Sequence, residues 1–134
     1  RTFSFDKLAR ATRLIRQGVF FLGTNPDTTF PTPNGLGPGA GSILAAVQTA
    51  SEQTAVIAGK PSPTLYQMAM QRLGVSPQQT ISIGDRMETD ILGGIRAACR
   101  TALVLSGVTS RQTLQTYDYQ PDLVAEDLIH LLSA

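Results

Sequence analysis

Gln79-Thr80-Ile81-Ser82-Ile83-Gly84-Asp85-Arg86-Met87-Glu88-Thr89-Asp90-Ile91-Leu92 passes from an apolar run through a glycine and an acid into a helical pattern. Residues 79–83 form a short, mostly apolar run that reads as a strand, and it runs straight into Gly84-Asp85. Beyond it Ile91, Leu92, Ile95 and Cys99 fall on one stripe of a helix. Downstream the pattern repeats. Thr101-Ala102-Leu103-Val104-Leu105 reads as a strand and Arg111–Thr116 as a short helix. Leu123-Val124 is a further strand, with a terminal helix from Glu126.

Upstream, Thr54–Ala58 reads as a strand, and Ser62 with Pro63 opens a helix whose inner face carries Leu65, Met68, Ala69 and Leu73. Ser42 to Ala50 is a helix, and Val19-Phe20-Phe21-Leu22 an apolar run read as a buried strand. Ser4 caps a helix from Phe5 to Gln17, which Gly18 stops. Between Gly23 and Gly41 the chain is rich in Pro, Gly, Thr and Asn and has no periodicity, so it reads as a long loop of the kind that is functional or unstructured. Apolar strands alternating with amphipathic helices predict an α/β fold, a parallel sheet with helices on both faces.

The composition excludes more than it assigns. Of 134 residues, 42% are hydrophobic and 16% charged, an ordinary globular balance. A net charge of +1 gives no global attraction to nucleic acid or to an anionic membrane, so neither is an expected partner. No apolar run reaches the roughly 20 residues that span a bilayer. The single cysteine, Cys99, cannot form an intrachain disulfide, which fits a reducing cytoplasm. Neither an initiator methionine nor a leader pattern opens the chain, which reads as a start within a longer protein.

Chemistry concentrates at two strand ends. Ligands of open parallel sheets bind beyond the carboxyl ends of the strands, which is where Asp85 stands. Asp90 follows five residues later, where the loop becomes a helix. Two carboxylates with no nearby His or Cys suit Mg²⁺ rather than zinc, although the same spacing also serves a strand end followed by a helix cap. Lys60 ends another strand-like run, ahead of Pro-Ser-Pro. An ammonium there can neutralise phosphate oxygens or a carboxylate, or simply be solvated. Gly35-Leu36-Gly37-Pro38-Gly39-Ala40 imitates a dinucleotide-binding Gly-x-Gly-x-x-Ala, but no strand directly precedes it, and Lys60 stands where the ribose-binding acid belongs. His130 has no ligand partner nearby in sequence and reads as a surface histidine. Cys99 reads as a buried packing residue.

Gly59-Lys60-Pro61-Ser62-Pro63, about twenty residues, and then Ile83-Gly84-Asp85-Arg86-Met87-Glu88-Thr89-Asp90-Ile91-Leu92-Gly93-Gly94 closely resemble the third and fourth motifs of haloacid dehalogenase (HAD) superfamily phosphatases. Ala102 to Val108 and the upstream Thr24-Asn25-Pro26-Asp27 narrow the resemblance to subfamily IIA, the NagD-like and para-nitrophenylphosphatase-like branch. The resemblance implies a Rossmann-like core with a large α/β cap. Residues 1–58 would be the end of the cap, with a specificity loop at 24–41, and residues 59–134 the carboxy-terminal half of the core. It implies that Lys60 holds the nucleophilic aspartate and the substrate phosphate, that Asp85 ligates Mg²⁺, and that Asp90 supports the metal site. Asn25 and Asp27 would meet the leaving group of a small phosphorylated metabolite, or else only stabilise a turn.

One part of the family pattern is missing. The nucleophile of these enzymes lies in an Asp-x-Asp-Gly motif, and no Asp-x-Asp occurs among the 134 residues. Covalent phosphoryl transfer needs an attacking carboxylate. The expectation is therefore a piece of a phosphatase that is inactive by itself, with a non-catalytic binding or assembly module as the alternative. Without the nucleophile strand, residues 80–83 would present an open edge, through which the chain could dimerise or swap elements.

Overall fold

In the computed structural model, which describes residues 3–133, the chain divides into two compact units, residues 1–59 and 60–134. The first unit opens with α1 (Phe5–Arg16). The Ser4 hydroxyl caps it, accepting from the Lys7 amide at 3.4 Å, and Gly18 leaves it with φ +92°. β1 (Leu22–Gly23) follows, then β2 (Thr29–Thr32), β3 (Gly35–Pro38), α2 (Ala40–Ser51) and β4 (Val56–Ile57). β1 pairs with β4 in parallel, Leu22 opposite Val56, and β2 pairs with β3 in an antiparallel hairpin.

Two expectations need correction here. The aromatic run 19–22 is not a buried strand. Only Leu22 lies within β1, the Phe21 carbonyl accepting from the Val56 amide beside it, and Val19, Phe20 and Leu22 are 52%, 71% and 56% exposed. The stretch 23–41 is not a structureless loop, since it contains the β2–β3 hairpin and the start of α2. Alternation is hard to read there because Pro31 and Pro38 and the glycines at 35 and 37 occupy strand positions where larger side chains would mark a face.

The second unit comprises α3 (Thr64–Leu73), β5 (Ile81–Gly84), α4 (Leu92–Arg96), β6 (Arg100–Val104), α5 (Arg111–Leu114), β7 (Leu123–Ala125) and α6 (Leu128–Leu132). Its sheet is parallel throughout in the order β5-β6-β7, with Gly84 opposite Leu103 and Leu103 opposite Val124. The fold class is α/β. Met87, Ile91 and Leu103 form one fully enclosed cluster, against which Leu105, Leu114, Tyr117 and Tyr119 pack. Met70, Ala97 and Cys99 form another, covered by Tyr66 and Val75. Thr101, buried in β6, ties the sheet to the β7 approach. Its amide and hydroxyl donate to the Asp122 carboxylate at 2.7 and 3.0 Å.

Among the described residues the two faces of β5 are unequally covered. Ser82 is buried, whereas Ile81 and Ile83 on the opposite face are 40% and 42% exposed. The predicted inner face of α3 is likewise not core. Leu65, Met68 and Leu73 are exposed, and Met70 supplies the buried contact. Leu65 and Ala69 instead line an open cleft of about 370 Å³ shared with Ile81 and Ile83. The apolar periodicity is real, but within the described residues that face meets a cleft. No helix among the described residues is long and apolar enough to cross a membrane.

Candidate active site

The site begins where β5 ends. Gly84 closes the strand, and the chain enters a π-helical turn at Met87–Ile91 in which the amides of Asp90 and Ile91 both donate to the Arg86 carbonyl. Met87 and Ile91, both inaccessible to solvent, anchor this turn in the core. The turn presents Asp90, itself only 6% exposed.

Every acceptor of Asp90 is engaged. Oδ1 accepts from Lys60 Nζ at 2.5 Å, and Oδ2 accepts from the Arg86 amide at 3.1 Å. The hydroxyls of Tyr66 and Ser82 lie 3.3 and 3.1 Å from its main-chain oxygen and 3.1 Å from each other. A nearly buried carboxylate is tolerated only when paired and hydrogen-bonded in this way. The hydrogen bond to Asp90 holds the Lys60 ammonium above its ordinary value despite partial burial, and the negative charge of Asp85 acts in the same direction. Lys60 is half exposed, so its charge remains available to a ligand in the cleft.

Asp85 is held from the other side. Its Oδ2 accepts from the Val108 amide at 2.8 Å, and its main-chain oxygen accepts from the Thr109 amide at 3.0 Å. The third acid of the segment, Glu88, is taken up elsewhere: its carboxylate accepts from the Tyr117 hydroxyl, whose pKa that contact pushes up to about 12. No cluster of three or more His, Cys, Asp or Glu side chains forms among the described residues. The donors present are therefore two carboxylates, one of them committed to a lysine. Such a set fits Mg²⁺, which takes one or two protein carboxylates and keeps much of its water, and does not fit zinc.

Lys60, Asp85 and Asp90 all belong to the second unit, and Asn25 and Asp27 to the first. The Asn25 Oδ1 accepts from the Asp27 amide at 3.1 Å, an Asx turn. The Asp27 carbonyl in turn accepts from the Gly41 amide at 2.7 Å. A β-carbon on Gly39 would stand 2.1 Å from the Asp27 main-chain oxygen and one on Gly41 2.1 Å from that of Pro26, so these two glycines, the first of them from the stretch that imitated a dinucleotide motif, serve the close approach of α2 to this turn. Asn25 and Asp27 also line a cavity of about 600 Å³ with Phe30, Pro38 and Ile43. Among the described residues no lysine or arginine lines it. The smaller cleft, with Lys60, carries the cationic chemistry. His130 is exposed and pairs with Asp127 at 2.8 Å, and Cys99 is buried, as expected of both.

Sequence reasoning missed Tyr66, Ser82 and the loop at 107–109. Ser82 carried a signal, being a hydroxyl at a buried position of an apolar strand. Tyr66 carried none, because it acts through a phenol on a packing helix, and Val108 entered only through the family resemblance, with no sign that its backbone amide would hold Asp85.

A parallel-sheet unit with an acid–lysine cluster beyond the end of one strand defines a Rossmann-like α/β protein with its polar site at the strand ends. The profile of the HAD-hydrolase-like family matches residues 57–131. The chain belongs to the HAD superfamily of hydrolases, in its subfamily IIA branch. It is 36% identical over 131 residues to the dihydroxyacetone phosphatase of Corynebacterium glutamicum, an alignment covering 98% of this chain and 48% of that protein. The p-nitrophenyl phosphatase from Archaeoglobus fulgidus superposes with a TM-score of 0.87 at 30% identity, covering 99% of this chain and 53% of the other. NagD from E. coli K-12 gives 0.84 at 31% identity, covering 95% and 50%. The chain thus spans about half the length of the relatives it matches.

Proposed function

We propose that this chain supplies half of the active site of a Mg²⁺-dependent phosphatase acting on a small phosphomonoester through an aspartyl-phosphate intermediate. The observation that carries the reading is the Lys60–Asp90 pair at 2.5 Å, set beside Asp85 beyond the end of β5. Asp85 would hold the metal directly, and Asp90 would act by fixing Lys60. A bound Mg²⁺ would neutralise phosphate charge, as metals do in phosphoryl transfer. Lys60 would bind a phosphate oxygen and steady an attacking aspartate, which the chain lacks in Asp-x-Asp form.

Residues 1–58 would belong to the cap and 59–134 to the core, with 24–41 as the specificity segment and Asn25 and Asp27 meeting the leaving group. The phosphatase names of the relatives support the reaction class, and a sugar phosphate, a nucleotide or an aryl phosphate would each suit it. A cytoplasmic location is part of the same proposal. The test is hydrolysis of p-nitrophenyl phosphate with Mg²⁺. The 134-residue chain alone should be inactive. Mixed with a polypeptide carrying the Asp-x-Asp-Gly half, it should become active and lose that activity on Lys60→Ala. Turnover by the isolated chain would refute the division of the site.

A second reading, a non-catalytic assembly module, draws on one observation. β5 is the edge of its three-stranded sheet and exposes Ile81 and Ile83. Self-association through that edge predicts a dimer by light scattering at micromolar concentration. A strict monomer would exclude it.

A further inference from the structure

We infer that Gly107, Val108 and Thr109 are positioning residues that fix Asp85 so that one of its oxygens, Oδ1, is left for a divalent cation. The inference rests on the metal reading above and deepens it. Among the described residues, the protein claims three of the four carboxylate oxygens of Asp85 and Asp90. Lys60 and the Arg86 amide take both oxygens of Asp90, and the Val108 amide takes Asp85 Oδ2. Of these four, Asp85 Oδ1 alone has no donor among the described residues. A single hard oxygen suits an ion that retains most of its water.

The means of fixing it lies in the chain just after β6. Because β5 and β6 are parallel neighbours with Gly84 opposite Leu103, their ends lie side by side, and the segment leaving β6 passes the Asp85 backbone and side chain. It grips at two points: Val108 N–H to Oδ2 and Thr109 N–H to the main-chain oxygen. Thr109 is buried, so the second grip is anchored. Gly107 makes the first grip possible. A β-carbon there would fall 2.1 Å from Oδ2 and 2.4 Å from the Asp85 β-carbon, and turning the carboxyl group aside would relieve the first contact but not the second. Glycine at 107 thus lets the carboxylate lie against this segment and reach the Val108 amide, which with the Thr109 amide holds it in place. Partners that orient a metal-ligating group in this way usually govern its affinity.

The test is a ¹H–¹⁵N NMR titration of the 134-residue chain with MgCl₂. The amides of Val108 and Thr109 should shift along the same saturation curve as Asp85, and Asp85→Asn should abolish all three shifts. Gly107→Ala should weaken apparent Mg²⁺ affinity by roughly 10–100-fold, the usual cost of losing an orienting partner. Gly74→Ala is the control. Gly74 ends α3 with φ +65° and open space around it, so the change strains the backbone and should leave Mg²⁺ affinity as it was. If Mg²⁺ shifts Asp85 while Val108 stays still, or if Gly107→Ala binds as tightly as the parent, the positioning role is overturned and the metal reading survives. If no amide responds to Mg²⁺, the metal reading fails and takes this inference with it. Should Gly107→Ala not fold, the Val108 response in the unmutated chain decides the matter.

Discussion

Gly84 lies so close to Asp90 that a β-carbon on it would stand 2.3 Å from the Asp90 carboxyl carbon. The end of β5 and the acid that pairs with Lys60 are thus in van der Waals register, and only a hydrogen separates them. Gly84→Ala should push Asp90 off the lysine, at a cost of about 1–3 kcal/mol, the usual range for overpacking. Urea unfolding at neutral pH measures this. A variant as stable as the parent would show that the turn can retreat.

Removing the other half of the pair tests burial rather than space. Lys60→Ala leaves Asp90 enclosed with its charge uncompensated, which costs about 3–5 kcal/mol for a fully buried pair. Lys60 is half exposed, and water reaching the pair brings the expected loss down to roughly 1–3 kcal/mol. Asp90→Asn in the Lys60→Ala background should recover part of it, because the stranded charge is then gone. A double variant no more stable than Lys60→Ala would contradict that account.

Strong acid should loosen the β6–β7 connection. The Thr101 amide, and then its hydroxyl, hold the Asp122 carboxyl below its ordinary value of 3.8. A carboxylate depressed in the folded state adds stability that is complete above its unfolded value and is lost as pH falls toward the folded one. The loss therefore begins near pH 3.8 and deepens below it. In Asp122→Asn the acid limb of a stability–pH curve should be shallower than in the parent. Parallel curves for the two proteins would remove Asp122 from the explanation.

Met87 sits with no solvent contact in the cluster with Ile91 and Leu103, two residues after Asp85. Met87→Ala should cost about 2–5 kcal/mol through lost transfer energy and a cavity. Met87→Leu should cost under about 1.5 kcal/mol, since volume is nearly kept. Thermal unfolding distinguishes the two. Because this residue anchors the π-helical turn, the alanine variant should also broaden the Asp90 amide resonance.

Much of the second unit could be read from its residues, because its signals are strong and local. Ile81 to Gly84 announce a strand and a sharp turn, and Thr101 to Val104 a buried strand. Asp85 and Lys60 then follow from the rule that parallel sheets carry their chemistry at the strand ends. The hairpin at 29–38 escaped notice because its strands hold prolines and glycines, which erase the alternation that marks a strand. Val19 to Phe21 misled in the opposite direction: apolar composition suggested burial, but no partner strand extends along them. The grip on Asp85 could not be foreseen at all. Backbone amides have no residue type, so the part of a site built from them appears only when the chain is folded.

The boundary after Gly59 has an evolutionary consequence. Lys60, Asp85, Asp90 and the Gly107–Thr109 segment are all encoded downstream of it, and the hairpin and its neighbouring cavity upstream. Substitutions in the earlier segment and in the later one can therefore be selected separately, because the hydrogen bonds that hold Lys60, Asp85 and Asp90 are made within the later unit. A lineage built on this plan can vary one stretch of its gene while the polar contacts encoded by the other stay intact.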